Sequence, residues 1–294
     1  MLKKTTILFL FTLTAHFANS QIINRELLDQ NGKVTLLGKV SHQRLSEAPF
    51  QEWFVSNEKA YVPEKASVKK LKKQLTSVDS ITIFMGTWCG DSKREVPRLT
   101  RLLAEAKYDL SKVNIICLDR RFNFYKQSPQ HEEAGLNIHR VPTVMLHADG
   151  KELGRMVEEP VATLEEDLLR IIDGSYEPHF QVVNRVEDIL RNEGYEKLNE
   201  NQATYVEQLK PIAQKSSELT TYARTLLTTW RIPEAVAVLE LNQQLFPETE
   251  YAHLHLANLY MILGSTAKAT TCCEKALSLN PESTTAKSML KKME

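Results

Sequence analysis

Residues 80–103 read SITIFMGTWCGDSKREVPRLTRLL. The run Ile81, Thr82, Ile83, Phe84, Met85 is apolar and rich in β-branched residues, which suits a buried strand. It stops at Gly86, passes through Trp88-Cys89-Gly90-Asp91-Ser92, and gives way to apolar residues at helical spacing, Val96, Leu99, Leu102 and Leu103. The pattern predicts a strand, a tight turn bearing one cysteine, and a helix. A thiol placed where a helix begins faces unpaired backbone N–H groups and the positive end of the helix dipole, both of which favour thiolate. Cys89 is therefore a candidate nucleophile. Asp91 beside it acts against ionisation, while Lys93 and Arg94 offset that carboxylate.

Outward from this stretch, further elements come in order. Pro97 lies eight residues after Cys89, and Val141-Pro142-Thr143 leads into the apolar run Val144-Met145-Leu146, closed by an Asp149-Gly150 hairpin turn. Together these resemble the thioredoxin superfamily, whose active site is Trp-Cys-Gly-Pro-Cys at a strand-to-helix turn, with a proline in the helix and a cis-proline opposite. The resemblance covers residues 76–175. It implies an α/β thioredoxin-like fold, a central mixed sheet flanked by helices. It also implies that Cys89 is the catalytic thiol, that Trp88, Gly90 and Asp91 shape the substrate groove, and that Val141 beside a cis Pro142 holds the substrate strand.

The departures from that pattern are as informative as the agreements. Ser92 stands where the family has its second, resolving cysteine, and Asp91 replaces the usual proline. A serine can hydrogen-bond the Cys89 sulfur and steady a thiolate, but it cannot attack a mixed disulfide. The positions at which the family carries a buried aspartate and its lysine partner fall at Ile83 and Ile115. Losing the proton-handling pair together with the thiol indicates a site built throughout for one sulfur.

At 294 residues the chain has room for about two domains. Lys+Arg 37 against Asp+Glu 37 leaves no net charge, and there is no basic block to recommend a nucleic-acid or anionic-membrane partner. Residues 1–20 carry Lys3 and Lys4, an apolar run over 7–13 and Ala18-Asn19-Ser20 before Gln21, the features of a secretory signal. The apolar run is too short for a stable span, so export to the periplasm or outside, with no membrane span after signal removal, is the expectation. Residues 21–76 form an extension in which 33–40 alternates like an edge strand, 48–54 reads as a helix start with aromatic anchors, and 67–75 is a basic amphipathic helix with a solvated face. Beyond the active-site helix, 113–118 is a buried strand, 128–135 a helix, 151–157 the last strand and 163–172 the closing helix. His139 and Arg140 precede Val141 directly. Arg140 is open to two readings, a charge that steers an acidic or thiolate-bearing substrate, or a solvated surface arginine.

Residues 176–215 are polar and helical, a linker that can also pack against the helices after it. Residues 216–294 change period. Over 250–283, Leu256, Ala257, Tyr260, Gly264, Ala269, Ala276 and Pro281 fall at the offsets of a helix-turn-helix repeat, which resembles the tetratricopeptide family. The preceding copy has Tyr222, Ala223, Leu226, Ala235, Leu239 and Pro247 at the equivalent places, with Trp230 where glycine is expected. Such repeats bury their faces only by stacking, and by resemblance they bind protein partners.

The remaining cysteines read as packing residues. Cys272 and Cys273 are adjacent on one helix, poor geometry for a bond between them, and Cys117 lies inside a strand. Because neighbouring parallel strands end on the same side of a sheet, Cys117 stays open as an alternative resolving thiol. The histidines show no metal spacing and no cofactor motif is present, so neither metal nor cofactor is expected. No arginine and threonine constellation supports a peroxidase-like site. Two functions compete. In the first, a monothiol thiol-disulfide oxidoreductase uses Cys89 on protein thiols or disulfides while the repeat domain docks a protein partner. In the second, a redox-inactive adaptor uses the Trp88 and Pro142 groove to bind extended peptides.

Overall fold

Alternation along two central strands divides the fold into faces. In β3 (Ser80–Met85), Ile81, Ile83 and Met85 point into one apolar cluster and Phe84 into another. In β4 (Val113–Cys117), Ile115 and Cys117 join the first cluster while Ile116 joins the second, as the period of two in a strand requires. The two strands are parallel, with Ile83 opposite Ile115 and Met85 opposite Cys117. The computed structural model describes residues 23–293; the signal segment read over residues 1–20 lies outside them.

The sheet has six strands in the order β1 (Arg25–Leu28), β2 (Val34–Val40), β4, β3, β5 (Thr143–Ala148), β6 (Lys151–Val157), with β3–β4 the parallel pair and the other pairings antiparallel. The segment read as an edge strand is therefore interior. Leu36, Leu37 and Val40 of β2 are buried, and β1, which has no alternation to announce it, pairs along its outer side. Asp149 and Gly150, both with positive φ, close the β5–β6 hairpin.

Helices α1 (His42–Leu45), α2 (Gln51–Ala60), α3 (Lys65–Gln74), α4 (Gly90–Glu105) and α5 (Leu164–Asp173) contribute Leu45, Phe54, Leu71, Leu99 and Leu168 to the first cluster. The other face of the sheet is covered by the long segment between β4 and β5. Residues 128–135 of that segment form successive turns rather than the expected helix. The left-handed backbone of His131 and Gly135 breaks any helical run, and the Glu133 carboxylate accepts the Ser128 N–H, so a local side-chain bond competes with helix.

The second half is all-helical: α6 (Gln181–Asn192), α7 (Tyr195–Glu200), α8 (Gln202–Leu209), α9 (Ser216–Thr228), α10 (Ile232–Leu245), α11 (Glu250–Ile262), α12 (Thr266–Leu279) and α13 (Thr284–Met293). One apolar cluster runs through it from Val182 and Leu198 to Cys273 and Met289, so the polar helices before residue 216 share a core with those after it. Each of the pairs α9–α10 and α11–α12 turns on a residue with positive φ, Trp230 and Gly264 respectively. The chain is thus a mixed α/β sheet domain followed by a helical region, compatible with a thioredoxin-like domain and helical repeats. Among the described residues, no helix is long and apolar enough to cross a membrane.

Candidate functional site

Cys89 is the N-cap of α4, extended at φ −89° and ψ 131°, and its carbonyl accepts the Lys93 N–H at 3.1 Å. The first free N–H groups of the helix therefore stand beside the sulfur. Three bonds brace the turn beneath it. The Cys89 N–H reaches Gly86 O at 2.9 Å, the Trp88 indole donates to Leu118 O at 2.9 Å, and the Gly86 N–H reaches the Ser92 hydroxyl at 3.2 Å. Gly86 is required by that packing, since a Cβ there would lie 2.5 Å from the Trp88 ring.

Ser92 lies beneath the turn. It is fully buried and its hydroxyl accepts the Gly86 N–H, so it braces the turn. Geometry explains this: two residues into the first turn, the serine side chain points back over the strand end. Asp91 is ion-paired with Arg94 at 3.0 Å, and Arg94 also reaches Glu159. Pro97 sits inside α4 and leaves the Lys93 carbonyl without its helical donor; Asn57 of α2 supplies one at 3.1 Å.

Across from the thiol, Val141–Pro142 is a cis peptide, and Cys89 Sγ donates to Val141 O at 3.2 Å. Cys89, Val141, Pro142, Trp88, Gly90 and Asp91 are thereby brought to one end of the sheet. Cys89 is partly exposed, whereas Cys117, Cys272 and Cys273 are buried, and burial pushes all three of those thiols up. Cys117 is not presented beside Cys89. It is 0% exposed and packs on the α4 side of the sheet, while Cys89 packs with Ile116, Leu118 and Val141 on the other. The shared strand direction that kept it open is overridden by which face its side chain takes.

Arg140 is not a solvated surface arginine. Glu158 holds its guanidinium through both carboxylate oxygens, at 2.8 and 3.0 Å, and it lies over the Phe180 ring at 4.3 Å. It fastens the site segment to the helical half. That junction is extensive. Arg224 of α9 stacks on Tyr125 at 3.7 Å, Gln127 donates to Thr228 O at 2.7 Å, and Arg191 of α6 reaches Gly135 O at 3.3 Å. His139 contacts the Phe180 and Tyr222 rings, its Nδ1 bonds Asn137 O at 3.2 Å, and its Nε2 is buried without a partner. Burial, with the Lys126 charge adding to it, pulls His139 down to about 3.

Lys126 is the residue that sequence reasoning missed. It is 5% exposed, its ammonium donates to His139 O, and it sits 4.7 Å over the Tyr125 ring. Nothing in its local sequence marks it, because its burial depends on α9 closing over residues 122–127. Beside this junction a cavity of about 1000 Å³ opens, lined by Phe122, Phe124, Lys126, Trp230, Ile262 and Leu263 among others. Among the described residues, no group of three or more His, Cys, Asp or Glu converges as metal ligands would. Comparison with models of known protein families and with curated proteins gives no match.

Proposed function

We propose that this protein is an exported thiol-disulfide exchange protein of monothiol type, with a thioredoxin-like domain that carries the chemistry and a tetratricopeptide-like domain that engages a protein partner. The single observation that carries the reading is the Cys89 sulfur, partly exposed at the start of α4 and 3.2 Å from Val141 O beside cis Pro142. The Cys89 thiolate attacks one sulfur of a substrate disulfide, forms a Cys89–substrate disulfide, and expels the other substrate sulfur as thiolate. A thiolate from substrate, partner or a small thiol then attacks that mixed disulfide and returns Cys89 as thiolate. The exchange conserves electrons, and the second thiol comes from outside the chain. Ionisation of Cys89 also frees Val141 O to accept a main-chain N–H from an extended substrate.

Alkylation of the native full chain near neutral pH, resolved by peptide mass spectrometry, tests this. Cys89 is expected to react well ahead of Cys117, Cys272 and Cys273, and to be the site of mixed disulfides. Labelling of Cys89 no faster than the other three defeats the reading. A non-catalytic adaptor is the second reading, favoured by the apolar cavity and the exposed Phe122, Phe124 and Trp230. Full biological activity in Cys89→Ala would select it.

A further inference from the structure

Lysine is almost never fully buried without a countercharge. Lys126 is 5% exposed, and among the described residues no carboxylate lies within ion-pairing distance of its ammonium. The backbone that holds it is also uncommon, with φ +57° for a residue bearing a Cβ. Two bonds impose that conformation, Asp119 N–H to Gln127 O at 3.0 Å and Lys126 N–H to Asp119 O at 2.9 Å. Strain retained at a buried charge invites a functional explanation.

The location supplies one. The ammonium is bonded to His139 O and the Cys89 sulfur to Val141 O. Charge and thiol are therefore anchored two residues apart on one segment, the one that turns through cis Pro142 into β5. The positions where the resemblance puts a buried acid and lysine, Ile83 and Ile115, belong to the opposite apolar face. We propose that Lys126 is a positioning residue for the thiol chemistry, a buried cation that stabilises the Cys89 thiolate from the β4–β5 segment, held there by α9. This deepens the thiol-exchange reading and rests on it.

The electrostatics run in the same sense. Burial pulls Lys126 down to about 7, aided by Arg140, while Cys89 and Glu158 draw it back up. The charged and titratable groups facing Lys126 are Arg140 and His139 on its anchoring segment, Glu158 after β6, Arg224 of α9, and Tyr125 beneath it.

The test is the pH profile of Cys89 alkylation by iodoacetamide in the full chain. Lys126→Met keeps the aliphatic stem and removes the charge. It is expected to move the profile to higher pH by about one unit, which is roughly tenfold slower labelling on the acid side. Lys126→Arg is expected to keep the wild-type profile. A merely structural lysine would alter stability without this charge-specific rescue. If Lys126→Met fails to fold, side-chain NMR of Lys126 in Cys89→Ser decides, with the ammonium expected to titrate at lower pH than in wild type. A folded Lys126→Met with an unmoved profile, or an ammonium indifferent to Cys89→Ser, overturns the assignment. Cys89 that is no faster than Cys117 in wild type instead overturns the thiol-exchange reading itself.

Discussion

Acid should weaken this protein through His139 in particular. The ring is 2% exposed, Nδ1 is committed to Asn137 O, and Nε2 has no partner. Burial holds it down to about 3, against 6.5 for an ordinary histidine. The folded state thus binds fewer protons than the unfolded state between those values, and stability falls as pH drops below about 6.5. At pH 5 the unfolded chain is protonated there and the folded chain is not. At about 1.4 kcal/mol per pH unit over one and a half units, the loss relative to pH 7 is about 2 kcal/mol. Lys126, although it adds to the local positive field, is common to both proteins compared. The assay is urea denaturation of wild type and His139→Phe at pH 7 and pH 5, monitored by circular dichroism. The stability difference between the two proteins should shift by about 2 kcal/mol in favour of the variant on acidification, whatever its value at pH 7. Carboxylates titrating elsewhere cancel in this double difference. A difference that stays constant between the two pH values refutes the burial of a neutral ring at this junction.

Further substitutions probe turns where backbone and side chain constrain each other. Gly86→Ala puts a Cβ 2.5 Å from the Trp88 ring and is expected to cost about 1–3 kcal/mol by overpacking, read as a lower urea midpoint. Gly90→Ala, with open space around the new Cβ, should stay within about 0.5 kcal/mol of wild type. Trp230 is 84% exposed with φ +63°, so Trp230→Gly is expected to raise stability by up to about 1 kcal/mol as left-handed strain is relieved. Gly264→Ala at the matching turn, φ +72°, should cost about 1 kcal/mol. A net destabilisation by Trp230→Gly would show that the indole packs usefully against the cavity wall.

Much of the local architecture was legible because it is written in short-range pattern. The strand 81–85, the turn at Gly86, the helix carrying Val96 and Leu99, the β5–β6 hairpin at Asp149-Gly150 and the paired helices after residue 216 each arise from periodicity and turn chemistry. β1 was not legible, since four residues with no buried alternation acquire strand structure only by pairing with β2. The segment 128–135 misled because its composition permits helix while Ser128, His131 and Glu133 close local turns instead. Ser92 and Arg140 stand close in sequence to the residues of the turn and the cis-proline, yet their partners, Gly86 and Glu158, depend on directions that spacing does not encode.

The amino-acid sequence by itself determined where a strand hands over to a helix and that a single cysteine stands at that junction, because both are properties of a few consecutive residues. Only the tertiary structure decided which face of the sheet Cys117 takes, that Ser92 braces the turn, and that Lys126 and His139 are buried where the sheet domain meets α9. Those outcomes rest on contacts between segments roughly 100 residues apart, such as Gln127 with Thr228. Burial, which sets the cost of a charge, exists only once such segments have met.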